Sequence, residues 1–76
     1  MFTLLLVEDD MALATGLLFT FEEEGYHTLH ASTAKAALET FAHDSFDLVI
    51  MDVMLPDGNG FDLCRALRQT SEAPVI

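Results

Sequence analysis

The chain has 76 residues, of which 51% are hydrophobic, and three Lys plus Arg stand against thirteen Asp plus Glu for a formal charge of −10. That length holds one domain at most, with a modest core, and that sign of charge excludes gripping a nucleic-acid backbone or an anionic bilayer. A single cysteine, Cys64, offers no intramolecular disulfide, the opening Met-Phe-Thr lacks the features of a signal peptide, and no uncharged apolar run nears the ~20 residues that span a bilayer, so the expected compartment is the cytoplasm.

Taken in order, the elements alternate in type. Thr3 to Glu8 reads as a first strand. Asp10 can cap a helix from about Met11 to Glu24, in which Met11, Ala14, Leu17, Leu18 and Phe21 follow helical spacing and Gly25 supplies the stop. Tyr26 to Ala31 makes a second strand. Ser32 or Thr33 can cap a second helix with Ala34, Ala37, Leu38 and Phe41 as its apolar stripe. A third strand, Phe46 to Asp52, enters the turn-rich loop Met54-Leu55-Pro56-Asp57-Gly58-Asn59-Gly60. Phe61 to Gln69 resumes a helix, and Pro74-Val75-Ile76 opens a fourth strand. Strict βα alternation predicts right-handed crossovers and an α/β fold, a doubly wound parallel sheet with helices on both faces.

Two of these strands carry the chemistry. Leu4-Leu5-Leu6-Val7 ends in Glu8-Asp9-Asp10, and Leu48-Val49-Ile50-Met51 ends in Asp52. Runs so apolar suit strands buried on both faces, and charges can follow only where such strands emerge. Carboxylates that converge there with no adjacent Lys or Arg repel one another, and a hard divalent cation with oxygen ligands relieves that repulsion. The expectation is a magnesium site.

The residues at this point resemble the receiver domains of bacterial two-component response regulators, over the whole chain. Leu4 to Asp10 looks like the family's first strand and acidic pair. Asp47 to Gly60 looks like its phosphoacceptor strand and loop, with Pro56 four residues and Gly60 eight residues after Asp52. Tyr26, the Ala-rich second helix and the segment Asp62 to Arg68 are similar to the subfamily with a winged-helix DNA-binding domain.

The resemblance implies a flavodoxin-like fold of strand order 2-1-3-4-5, whose ligand sits between the first and third strands. It implies that Asp52 accepts a phosphoryl group from a sensor histidine kinase. It implies Mg2+ bound by Glu8, Asp9, Asp52 and the backbone carbonyl of Met54, with Glu8 acting mostly through water. The chain would then be a phosphoacceptor rather than an enzyme, in full length a transcription regulator, with homodimer or receiver–receiver contact possible and no direct DNA binding by this segment. Complete receivers add a Ser or Thr after the fourth strand and a Lys after the fifth. Residues 1–76 therefore read as the N-terminal part of a receiver, βαβαβα plus the start of a fourth strand, truncated there and without its output domain. Such a fragment, with Leu17, Leu18 and Phe21 partly uncovered, is expected to be molten or to associate.

Other residues have plainer readings. Asp10 is a helix cap, and Asp57, Asn59 and Asp62 are turn and helix-start residues. His27, His30 and His43 have no partner at metal-ligand spacing and read as surface histidines. Cys64 reads as a packing thiol, and Met11, Met51 and Met54 as filler. Lys35 lies in the second helix, where nothing brings it to Asp52. Two rival functions remain. One is a phosphorylation-incompetent fragment that only binds other proteins. The other is a metal-dependent phosphatase with an aspartyl nucleophile, which would want an acid where Met54 stands.

Overall fold

In the computed structural model, residues 2–51 and 54–76 are described. Three parallel strands, β1 (Thr3–Val7), β2 (His27–Ala31) and β3 (Leu48–Met51), form a sheet of order β2-β1-β3. The helices are α1 (Met11–Glu23), α2 (Ala34–His43) and α3 (Gly60–Arg68). Placing β1 between its two successors requires the chain to cross the sheet in opposite directions, so helices cover both faces as the alternation predicts.

The sequence chemistry explains each boundary. Asp10 accepts the Leu13 N–H at 3.1 Å and starts α1. Gly25, at φ +93°, ends it: the Gly25 N–H reaches Glu22 O at 3.0 Å and the Tyr26 N–H reaches Phe21 O at 3.1 Å. This left-handed turn suits glycine and gives partners to the Glu22 and Phe21 carbonyls at the helix end. Of the two candidate caps for α2, Thr33 is the one used, its hydroxyl accepting from Ala36 N–H at 3.1 Å. Asn59 caps α3 through the Asp62 N–H at 2.9 Å.

Register divides the core in two. Leu5 pairs with Leu29 and Val49, and Val7 with Ala31 and Met51. These residues share one face with Ala34, Ala37 and Phe41 of α2 and Leu63 and Leu67 of α3 in a single cluster. Leu4 and Leu6 point the other way and are buried on the α1 side, as is Ala14. Leu48 and Ile50 share that second face but are only half-buried, as are Leu17, Leu18 and Phe21.

Several expectations need correction. Met11 and Leu38 fit the helical spacing yet are exposed. Met11 lies in the first turn of α1, at the strand-end edge, and Leu38 is one step round α2 from Ala37, whose Cβ is fully buried. The loop after β3 contains two short antiparallel strands, β4 (Met54–Leu55) and β5 (Gly58–Asn59), closed by a turn at Pro56-Asp57. Residues 74–76 do align parallel to β3, with Val49 N–H on Pro74 O and Ile76 N–H on Val49 O, both 2.9 Å.

Candidate functional site

The parallel register sets Val7 of β1 beside Met51 of β3, so both strands end at one edge of the sheet, the edge where the residues after β1 emerge. Glu8 is the first of them and is 9% exposed, the one charged side chain among the buried residues described. Its backbone is held on both sides. The Glu8 N–H donates to Ala31 O at 3.0 Å, and His30 Nε2 lies 2.9 Å from the Glu8 carbonyl. A carbonyl only accepts, so this ring nitrogen carries the proton. His30 is therefore a half-buried brace for the acidic turn and not a surface histidine. The signal was its β2 position opposite Leu6, which turns it inward. His27 and His43 are exposed, as expected.

The side chains of the turn divide the work. Glu8 Oε2 accepts the Asp10 N–H at 3.1 Å, which folds the turn, and among the described residues Oε1 has no hydrogen-bond partner. Asp10 is committed to α1, whereas Asp9 is exposed, next to the buried Glu8. Among the described residues no cation pairs with Glu8 or Asp9; the ion pair that does occur joins Arg65 to Asp62 on α3. Asp52 follows Met51 directly but lies outside the described residues. The described residues alone contain no group of three or more His, Cys, Asp or Glu placed to hold a metal ion. Those present at this edge, Glu8 and Asp9, supply oxygen donors only, a set that suits a hard cation such as magnesium.

Met54, the other position expected at this site, begins β4 and pairs with Asn59 of β5. The hairpin is anchored by a residue that local reading assigned only to a turn. Asp57 Oδ1 accepts the Ala34 N–H at 2.7 Å and Oδ2 the Lys35 N–H at 3.1 Å, so it caps α2 from across the fold. These two N–H groups hold its carboxyl below the usual aspartate range. No sequence-local rule exposes a cap whose partners lie 22 and 23 positions away. Asn59 and Asp62 are helix-start residues as expected, and Cys64 is a half-buried free thiol on α3. None of the described helices is long and apolar enough to cross a membrane.

Comparison with known proteins agrees with this geometry. The family model of the response regulator receiver domain matches residues 4–76. The chain is 44% identical over 73 residues to the transcriptional regulatory protein CpxR of Escherichia coli, covering 96% of this chain and 31% of that protein. It thus spans about a third of the length of the curated relatives it matches. Among solved structures it is similar to the non-phosphorylated HemR receiver domain from Leptospira biflexa, with TM-score 0.92 and 37% identity, over 99% of this chain and 61% of that one. It is also similar to the response regulator TrrA from Thermotoga maritima in complex with Mg(2+)-BeF, with TM-score 0.91 and 29% identity, over 99% of this chain and 66% of that one. A parallel β1–β3 pair whose ends share the edge of Glu8 and Asp9, with a family match along nearly the whole length, makes the chain a member of the response regulator receiver domain family.

Proposed function

We propose that this chain is the phosphoacceptor part of a two-component response regulator, in which Asp52 takes a phosphoryl group from a sensor histidine kinase. The observation that supports this reading is the Val7–Met51 register, which brings the ends of β1 and β3 together at the edge where Glu8 and Asp9 lie. In the transfer, an Asp52 carboxylate oxygen attacks phosphorus and forms a P–O bond. The P–N bond of the phosphohistidine breaks and its electron pair returns to the imidazole.

Asp9, Asp52 and the Met54 carbonyl would hold Mg2+ directly and Glu8 through water. When bound, Mg2+ offsets the negative charge that accumulates on the transferring group. The all-oxygen donor set supports this assignment, as does the Mg(2+)-BeF complex of TrrA. The protein's own part is orientation. The Asp10 N–H and the His30 ring fix Glu8, and Glu8 fixes where Asp9 leaves the strand.

In this reading the chain is an acceptor and not an enzyme, and it works in the cytoplasm within a longer protein. The relatives' names support a role in transcription for that longer protein. The test is calorimetric titration with Mg2+, followed by mass measurement after exposure to an acyl-phosphate donor. Wild type should bind Mg2+ and gain one phosphoryl group, and Asp9→Asn and Asp52→Asn should each lose most of the binding. Unchanged affinity in both variants would overturn the reading and leave a protein-binding module.

A further inference from the structure

We propose that Asp57 is a positioning residue, clamping the tip of the β4–β5 hairpin to the first turn of α2 so that the Met54 carbonyl stays at the acidic edge. The metal-related half of this proposal rests on the function proposed above; the clamp itself does not.

Three observations converge on the clamp. First, the N–H groups of Ala34, Lys35 and Ala36 have no partner within α2, as in any first helical turn. Thr33, the helix's own cap, satisfies only the Ala36 N–H, at 3.1 Å. Asp57 takes the other two, one with each carboxylate oxygen. An anion fits there because helix N-termini carry partial positive charge. Second, Gly58 sits flush on the same turn, where an added Cβ would stand 3.1 Å from the Ala34 Cβ. That approach lets the hairpin backbone come close enough for both Asp57 bonds to form. Third, the hairpin passes this constraint on. Leu55 pairs with Gly58 and Met54 with Asn59, while Leu55 is 8% exposed in the core cluster and Asn59 is committed to the α3 cap. Fixing Gly58 therefore fixes the strand that begins at Met54.

With both oxygens engaged, Asp57 has none pointed at a cation, so its contribution to metal binding is geometric. Outer residues that orient metal ligands typically change affinity 10- to 100-fold when removed. Because the clamp reaches only one of four expected ligands, the low end of that range applies.

The experiment compares Asp57→Ala, Asp57→Asn and Thr33→Ala with wild type on the full chain, using Mg2+ titration and amide hydrogen exchange. Thr33→Ala is the control, since it removes a cap from the same helix without touching the hairpin. Asp57→Ala should weaken Mg2+ binding roughly 10-fold and speed exchange of the hairpin amides. Asp57→Asn keeps one acceptor oxygen and should fall between. Thr33→Ala should leave both the affinity and the hairpin amides near wild type. Hairpin exchange unchanged in Asp57→Ala would overturn the clamp, whatever the metal result. Faster hairpin exchange with wild-type Mg2+ affinity, or equal weakening by Thr33→Ala, would overturn the positioning role. A wild type that binds no Mg2+ would instead strike down the proposed function and the metal half together, with hydrogen exchange still deciding the clamp.

Discussion

Thr3 and Asp47 hold each other by two hydrogen bonds. The Thr3 N–H donates to Asp47 Oδ2 at 2.8 Å, and the Asp47 N–H donates to Thr3 O, also at 2.8 Å. This pair closes the start of the β1–β3 ladder, at the opposite end of the sheet from Glu8 and Asp9. A slip of one residue between these strands would reverse the faces of Leu48, Val49 and Ile50. The acidic edge is thus assembled partly by a bond that lies a full strand length away.

Replacing Asp47 with Ala is expected to cost about 1 kcal/mol, in the ordinary range for a solvent-accessible hydrogen bond. Asp47→Asn, which retains an oxygen for the Thr3 N–H, should lose less than half of that. Chemical denaturation of the three proteins checks the order. Equal stability of wild type and Asp47→Ala would show that the backbone ladder alone sets the register.

The Asp57 cap gives stability a dependence on acid. Because the folded carboxyl titrates below its unfolded value, the stabilisation is fully present above the usual aspartate pKa. It is lost as pH falls through the lowered folded value, that is from about pH 4 downward. Wild type should therefore exceed Asp57→Ala in denaturation midpoint at neutral pH, and the gap should close on acidification through that window. A gap that stayed constant through it would mean that the ionised carboxylate is not the stabilising form.

How much of this could be read from the sequence depended on the distance over which each signal acts. Asp10, Thr33 and Gly25 mark helix ends within a few residues of their own partners, and all three do so in the structure. Strand limits shifted by one or two residues where side chains serve two purposes. Phe46 was expected inside the third strand, but its ring turns instead onto Phe41, centroids 5.9 Å apart. The β4–β5 pairing was hidden because strands of two residues show no periodicity amid Pro, Asp, Asn and Gly. The roles of His30 and Asp57 needed tertiary neighbours, Glu8 and the first turn of α2, that no local rule brings together. The shared edge at which β1 and β3 end was legible because two apolar runs each stopped at an acid.

Core and surface positions should separate sharply. Leu5 is fully buried in the central strand, facing Leu29, Val49 and the α2 and α3 side chains. Leu5→Ala should cost about 2–5 kcal/mol, a large share of the roughly 5–15 kcal/mol of a typical domain. Phe19 on α1 is 65% exposed, and Phe19→Ser should stay within about 1 kcal/mol of wild type. Denaturation midpoints test both, and a Phe19→Ser loss as large as that of Leu5→Ala would reveal a packing partner for that ring.

Two glycines of the α1 region should respond to alanine with opposite signs. Gly16 lies inside the helix, and a Cβ built there meets nothing within 4 Å. Alanine adds no clash and reduces the freedom of the unfolded chain, so Gly16→Ala should stabilise by about 0.5–1 kcal/mol. Gly25 also has open space around its missing Cβ, but its φ of +93° is one that L side chains rarely adopt. The turn cannot relax without giving up the Gly25–Glu22 and Tyr26–Phe21 bonds that close the helix. Gly25→Ala should therefore destabilise by about 1–2 kcal/mol. Thermal or denaturant melts of the two single variants read the sign directly. A destabilised Gly16→Ala would point to a partner that packs against that face of α1, and a neutral Gly25→Ala would show that α1 can end by another turn.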